Sequence, residues 1–142
     1  MGWEEIMDIL ACYFRVEDHH REHPVFEVVI DERLSLKIIQ GERNFIIFCG
    51  YFTEKNTEND LQKLKHLLQW NFARIAETDD SLSIESESNQ LCLFRKRHSS
   101  ELFMDNIFAE VESFVENLEF WADAFEYMRV VPRGSGLTVF GF

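Results

Sequence analysis

The sequence predicts an α+β fold, a single domain of order α-β-β-β-α-β-β-α with an antiparallel sheet and helices packed on it. Two observations carry this. Apolar residues recur at three- and four-residue steps in three separate segments, and five β-rich runs lie between them. A third gives the strand direction: the connections between neighbouring runs are too short for a parallel crossover.

The first helix spans Glu4 to Phe14, with Ile6, Ile9, Leu10, Tyr13 and Phe14 on one face. A polar loop from Glu17 to Pro24 ends it, and Pro24 biases His23 away from helical angles. Three strands follow, Val25 to Asp31, Leu34 to Gln40 and Phe45 to Phe52, joined by short polar turns. The third run, Phe-Ile-Ile-Phe-Cys-Gly-Tyr-Phe, does not alternate, so both of its faces should be covered.

A second helix, capped by Thr57 or Asn59, carries Leu61, Leu64, Leu67, Leu68, Phe72 and Ile75 and ends near Glu77 to Asp80. Two short strands, Leu82 to Glu85 and Leu91 to Arg95, flank the polar turn Ser86 to Asn89. Ser99 or Ser100 then caps the longest helix, whose apolar face is Phe103, Ile107, Val111, Phe114, Leu118, Trp121 and Phe125. No internal repeat is evident. The domain is expected over residues 1–129, with 130–142 as a tail. Within it, Val131-Pro132-Arg133-Gly134-Ser135 reads as a protease site of the kind added for purification, and Leu137 to Phe140 reads equally as a short strand.

With 46% hydrophobic residues and 14 Phe, the chain carries far more apolar surface than a disordered one. A net charge of −12 gives a field that repels phosphate backbones and anionic membranes, so neither nucleic acid nor membrane is an expected partner. Cys12, Cys49 and Cys92 are odd in number and lack CxxC spacing, which fits free thiols in a reducing cytoplasm. No apolar run reaches the length of a membrane span.

The densest set of metal-ligand types is Cys12, His19, His20 and His23, but its spacing does not match the common zinc pairings and a solvated loop explains it. Cys49 or Cys92 with His66 or His98 would supply a nucleophile and a base, an arrangement that only geometry can establish. The carboxylate pairs Glu4-Glu5, Glu17-Asp18 and Asp79-Asp80 fall at helix starts or in polar loops, where water or a helix N-terminus accounts for them. The cationic cluster Arg95-Lys96-Arg97-His98 either receives an acidic segment of a partner or protects an edge strand. No catalytic residue, metal or cofactor is therefore assigned, and binding rather than enzyme chemistry is expected.

The large side chains exceed what three helices and one sheet can bury, so exposed apolar patches are expected to mark association sites. A natural division pairs the second helix and fourth strand across a twofold axis and leaves the first three strands to receive a foreign segment.

The Leu-Ala-Cys-Tyr-Phe helix, the strand ending Phe-Cys-Gly-Tyr-Phe, the Leu-Leu-Gln-Trp-Asn-Phe-Ala-Arg helix, the Leu82 to Lys96 hairpin and the acidic helix ending at Phe125 form one constellation. In it, the chain resembles the class I effector chaperones of bacterial type III secretion systems, over about residues 3 to 128. The resemblance implies a cytoplasmic homodimer that binds the N-terminal segment of a secreted effector and keeps it soluble and competent for export. It places the dimer contact at Leu64, Leu67, Leu68, Gln69, Phe72, Leu82 and Ile84. It places effector contacts at Ile6, Phe26, Val28, Leu36, Ile38, Ile46 and Phe48. The outward face of each strand stays open, because a slip of one residue exchanges the two faces. Alternatives are a regulator of the same family that sequesters an antiactivator of secretion genes, and a small metal-dependent enzyme. The histidine-rich loop and the tail depart from the family's pattern.

Overall fold

In a computed structural model the described residues are 1–17, 23–52, 61–74, 77–85, 87–88 and 90–130. Among them the chain forms α1 (Trp3–Tyr13), β1 (Val25–Ile30), β2 (Leu34–Gln40), β3 (Phe45–Tyr51), α2 (Leu61–Arg74), β4 (Ser81–Ile84), β5 (Leu91–His98) and α3 (Ile107–Val130). This is the expected order. The proposed caps Thr57 and Asn59, as well as Ile75, the middle of the histidine loop and the tail from residue 131, lie outside the described residues.

All strand pairs are antiparallel, in the order β1-β2-β3-β5-β4. The first three strands form a meander. The β4–β5 hairpin then folds back so that β5 lies between β3 and β4, and β1 and β4 become the edges.

One face of the sheet carries Phe26, Leu36, Ile38, Ile46, Phe48, Leu91 and Leu93, all at most 3% exposed. Against it pack Ile6, Met7 and Leu10 of α1 and Val111, Phe114, Leu118 and Trp121 of α3, with Leu67 and Trp70 of α2 completing the core. The fit is closest at Gly50, where a Cβ would lie 2.6 Å from Leu118 Cδ2. Gly50→Ala is expected to cost about 1–3 kcal/mol in urea unfolding, since α3 must shift outward to admit the methyl. An unchanged midpoint would show that α3 moves freely on the sheet.

Three sequence expectations need correction. The last helix begins at Ile107 and not at a serine cap: Ser99–Glu101 is a single 3-10 turn, closed by the His98 ring accepting from Ser100 N and Glu101 accepting from His98 N. Phe103 therefore precedes α3 and is 54% exposed, outside the apolar face assigned to it. Asp80 is not solvated, and the cationic run from Arg95 does not guard an edge, because β5 is internal.

Candidate functional site

Backbone polarity makes the two sheet edges unequal. Gln40 N donates to Pro24 O at 2.8 Å, which sets the phase of the β1–β2 ladder. By antiparallel alternation the backbone groups of Phe26 and Val28 then point to β2, and those of Val25, Glu27 and Val29 point outward. The His23 ring contacts both backbone groups of Val25, leaving those of Glu27 and Val29 without a partner among the described residues. On β4, Glu85 N donates to Gln90 O, so Leu82 and Ile84 point outward. There Asn71 of α2 reaches over and accepts from Leu82 N at 2.9 Å. Leu82 N at the β4 edge is thus capped by a side chain, whereas Glu27 and Val29 at the β1 edge have no such cap among the described residues.

The sheet face away from α1 and α3 is amphipathic. Beside β1 it holds a polar recess of about 500 Å³ lined by Glu27, Ser35, Lys37, Tyr51, Glu85 and Gln90. Lys37 Nζ lies 5.2 Å from the Tyr51 ring centroid, and Tyr51 donates its hydroxyl to Glu85. Further along, Lys96 Nζ sits 4.2 Å over the Phe45 ring. Cys49, Tyr51 and Cys92 form a small buried cluster with Ile39. The Cys92 thiol hydrogen-bonded to Cys49 holds the latter down at about 7 against the upward pull of burial. That same bond, with burial, pushes Cys92 up. Cys49 is only 9% exposed, which shields its thiol from reagents.

The side chains expected to contact an effector all turn toward the core. Ile6, Phe26, Leu36, Ile38, Ile46 and Phe48 are at most 3% exposed and pack in the core, with Val28 partly buried against it. The strand parity that faces away from the helices is the other one: Val25, Glu27 and Val29 on β1, Ser35, Lys37 and Ile39 on β2, and Phe45, Ile47 and Cys49 on β3. Val29 is 62% exposed.

Of the residues expected at a dimer contact, Leu67 and Leu82 lie in the core. Leu68, Gln69, Phe72 and Ile84 are exposed, Phe72 by 79%. Leu64 belongs to α2, but its side chain is outside the described residues. Leu68 and Phe72 are one helical turn apart, and the Asn71 bond to Leu82 sets this face of α2 beside β4.

Sequence reasoning missed a buried ionic network. Arg95 Nε donates to Asp80 Oδ1 at 2.5 Å and Nη2 to Asp80 Oδ2 at 2.9 Å, while Nη1 reaches the Glu110 carboxylate at 3.0 Å. Asn117 Nδ2 donates to Asp80 Oδ2 at 2.8 Å, and the Asp80 side chain has no exposed surface. Burial pulls the Arg95 guanidinium down, and Asp80 and Glu110 more than offset it. The network ties the turn after α2 to β5 and α3. No local pattern announces it, since Asp79-Asp80 reads as any polar turn.

His98 and Cys49 are not brought together. His98 lies opposite Phe45, four residues along β3 from Cys49, and its ring bonds Ser100. Among the described residues no group of three or more His, Cys, Asp or Glu could hold a metal ion, and His19 and His20 are outside them. No described helix is long and apolar enough to cross a membrane.

No family model and no curated protein matches the sequence. Solved structures do match its shape. A chain of the ExsC–ExsE complex aligns with a TM-score of 0.68 at 13% identity, covering 93% of this chain and 95% of that one. The HopA1–SchA chaperone–effector complex gives 0.63 at 14% identity, over 85% and 93%. The Yersinia pestis type III secretion chaperone SycH, in complex with a fragment of YscM2, gives 0.56 at 10% identity, over 84% and 98%. The fold is that of the type III secretion chaperones. Each match spans nearly the whole of the matched chain.

Proposed function

We propose that the protein is a cytoplasmic chaperone that, as a homodimer, binds the N-terminal segment of a type III secreted effector and keeps it soluble until export. The carrying observation is the unpaired β1 edge, on a fold whose solved examples include a chaperone–effector complex. An extended segment adds to β1 through the free backbone groups of Glu27 and Val29, and its alternate side chains settle on the outward face around Val29, Lys37 and Ile39. Main-chain pairing gives affinity, and the mixed polar and apolar surface selects the side chains. This reading uses no metal, nucleotide or covalent step.

The exposure of Leu68 and Phe72, one turn apart on α2, and of Ile84 on β4 supports dimerisation through these elements, because large apolar side chains left in water are a usual mark of an association surface. Purification from the source organism, with mass spectrometry and light scattering on the same sample, is expected to give twice the chain mass plus one larger secreted protein. A partner-free monomer would overturn the proposal.

A sharper test is Glu27→Pro. Proline removes the outward N–H without touching the β1–β2 ladder, so the fold should persist while strand addition fails. Partner capture is expected to fall about tenfold or more, in line with the loss of edge hydrogen bonds. Normal capture by a folded variant would exclude the β1 edge.

A further inference from the structure

A second surface lies where α1 ends and α3 begins. Tyr13, Phe103, Met104 and Phe108 are 38%, 54%, 64% and 40% exposed. Tyr13 stacks on Phe108 with centroids 5.3 Å apart, and Phe103 and Met104 lie in the turn that leads into α3. The Tyr13 hydroxyl donates to Glu112 at 3.2 Å, which fixes the patch against the next turn of α3. Large apolar side chains held this far into water around a stacked aromatic pair mark an association surface.

The charge that α3 brings to the patch has one sign. The sequence holds no Lys or Arg from Ser99 to Met128. Glu112, Glu116 and Glu119 fall on the same outward stripe of α3 as Phe108, Asp105 lies just before the helix, and all four are exposed. A helix face offers no unpaired backbone groups, so an incoming strand has nothing to bond there. An occupant must engage through side chains alone, as a helix does with anchors at three- and four-residue spacing.

We propose that the Tyr13, Phe103, Met104 and Phe108 patch with the acidic stripe of α3 is a docking site for a cationic amphipathic helix of a partner protein. The partner's apolar residues cover the patch, and its Lys or Arg side chains lie along the carboxylates. The stripe from Met104 to Glu119 matches a helix of about 15 residues, roughly 22 Å long. This site is separate from the β1 edge and does not depend on strand addition there.

The test uses two fluorescein-labelled amphipathic peptides of about that length. Both have leucines on one face; one has lysines on the other, and the second has glutamates in their place. The lysine peptide is expected to bind the full-length protein and to shift the amide NMR signals of Tyr13, residues 103–108 and Glu112. Phe103→Ser with Met104→Ser should weaken it about tenfold or more, while Glu27→Pro leaves it unchanged. Both replaced side chains are more than half exposed, so this variant should fold. Undiminished binding to it, equal binding of the glutamate peptide, or signal shifts scattered over the surface would overturn the proposal. So would a drop in the protein's own molar mass on replacing Phe103 and Met104, which would assign the patch to a second copy of the chain.

Discussion

Replacing Asp80 by Ala is expected to destabilise the protein by about 3–5 kcal/mol, the largest effect of any single polar substitution in the fold. The loss comes from what remains behind: Arg95, 5% exposed, keeps its charge with its bidentate partner gone, and Asn117 loses an acceptor. Urea unfolding followed by tryptophan fluorescence measures it. Replacing both partners, Asp80→Leu with Arg95→Met, should recover much of the loss, because the double change removes the buried charge as well as its partner. A loss below about 1 kcal/mol in Asp80→Ala would mean that water reaches Arg95 once the carboxylate is gone.

Leu68→Asp with Phe72→Asp is expected to weaken the proposed dimer by about two orders of magnitude or more, since four unpaired carboxylates would enter an apolar contact. Both side chains are exposed on the protomer, so secondary structure and thermal unfolding of the monomer should survive, and light scattering should report a single chain mass. The neighbouring Leu67 is unsuitable for this purpose. It lies 1% exposed in the core, and a charge there would unfold the protomer whatever its association state. If the double variant stays dimeric, the contact lies elsewhere and Phe72 needs another partner.

Element order was legible in the sequence because helix and strand periods are written locally, and the short turns dictated antiparallel neighbours. Facing was not. β3 is apolar on both sides, with Ile46 and Phe48 in the main core and Cys49 and Tyr51 in the smaller cluster opposite, so alternation could not tell inward from outward. The placement of β5 inside the sheet was equally hidden, since hydrophobic runs do not name their neighbours. Once it is known, the cationic Arg95 becomes intelligible: it needs carboxylates because it is enclosed. Phe103 misled for the opposite reason, fitting the helical period but lying before the helix starts. The candidate site was legible as a region, the first three strands, and not as a set of side chains. The open edge is made of backbone groups, which sequence patterns of side chains do not report.

The insertion of β5 also governs how the protein is made. Phe45 must find His98 and Tyr51 must find Cys92, and α1 finishes its packing only against α3, as the contact of Tyr13 with Phe108 shows. The β3–β5 ladder and the seating of α3 join the two halves of the chain, so loop-closure entropy opposes these steps until late in the search. Folding should accordingly be a single slow event on the scale of small domains, without a stable N-terminal intermediate. During synthesis, the meander of β1 to β3 leaves the ribosome with only α1 available for its apolar face and must wait for α3 to cover the rest. For that interval the nascent chain is itself an aggregation-prone client.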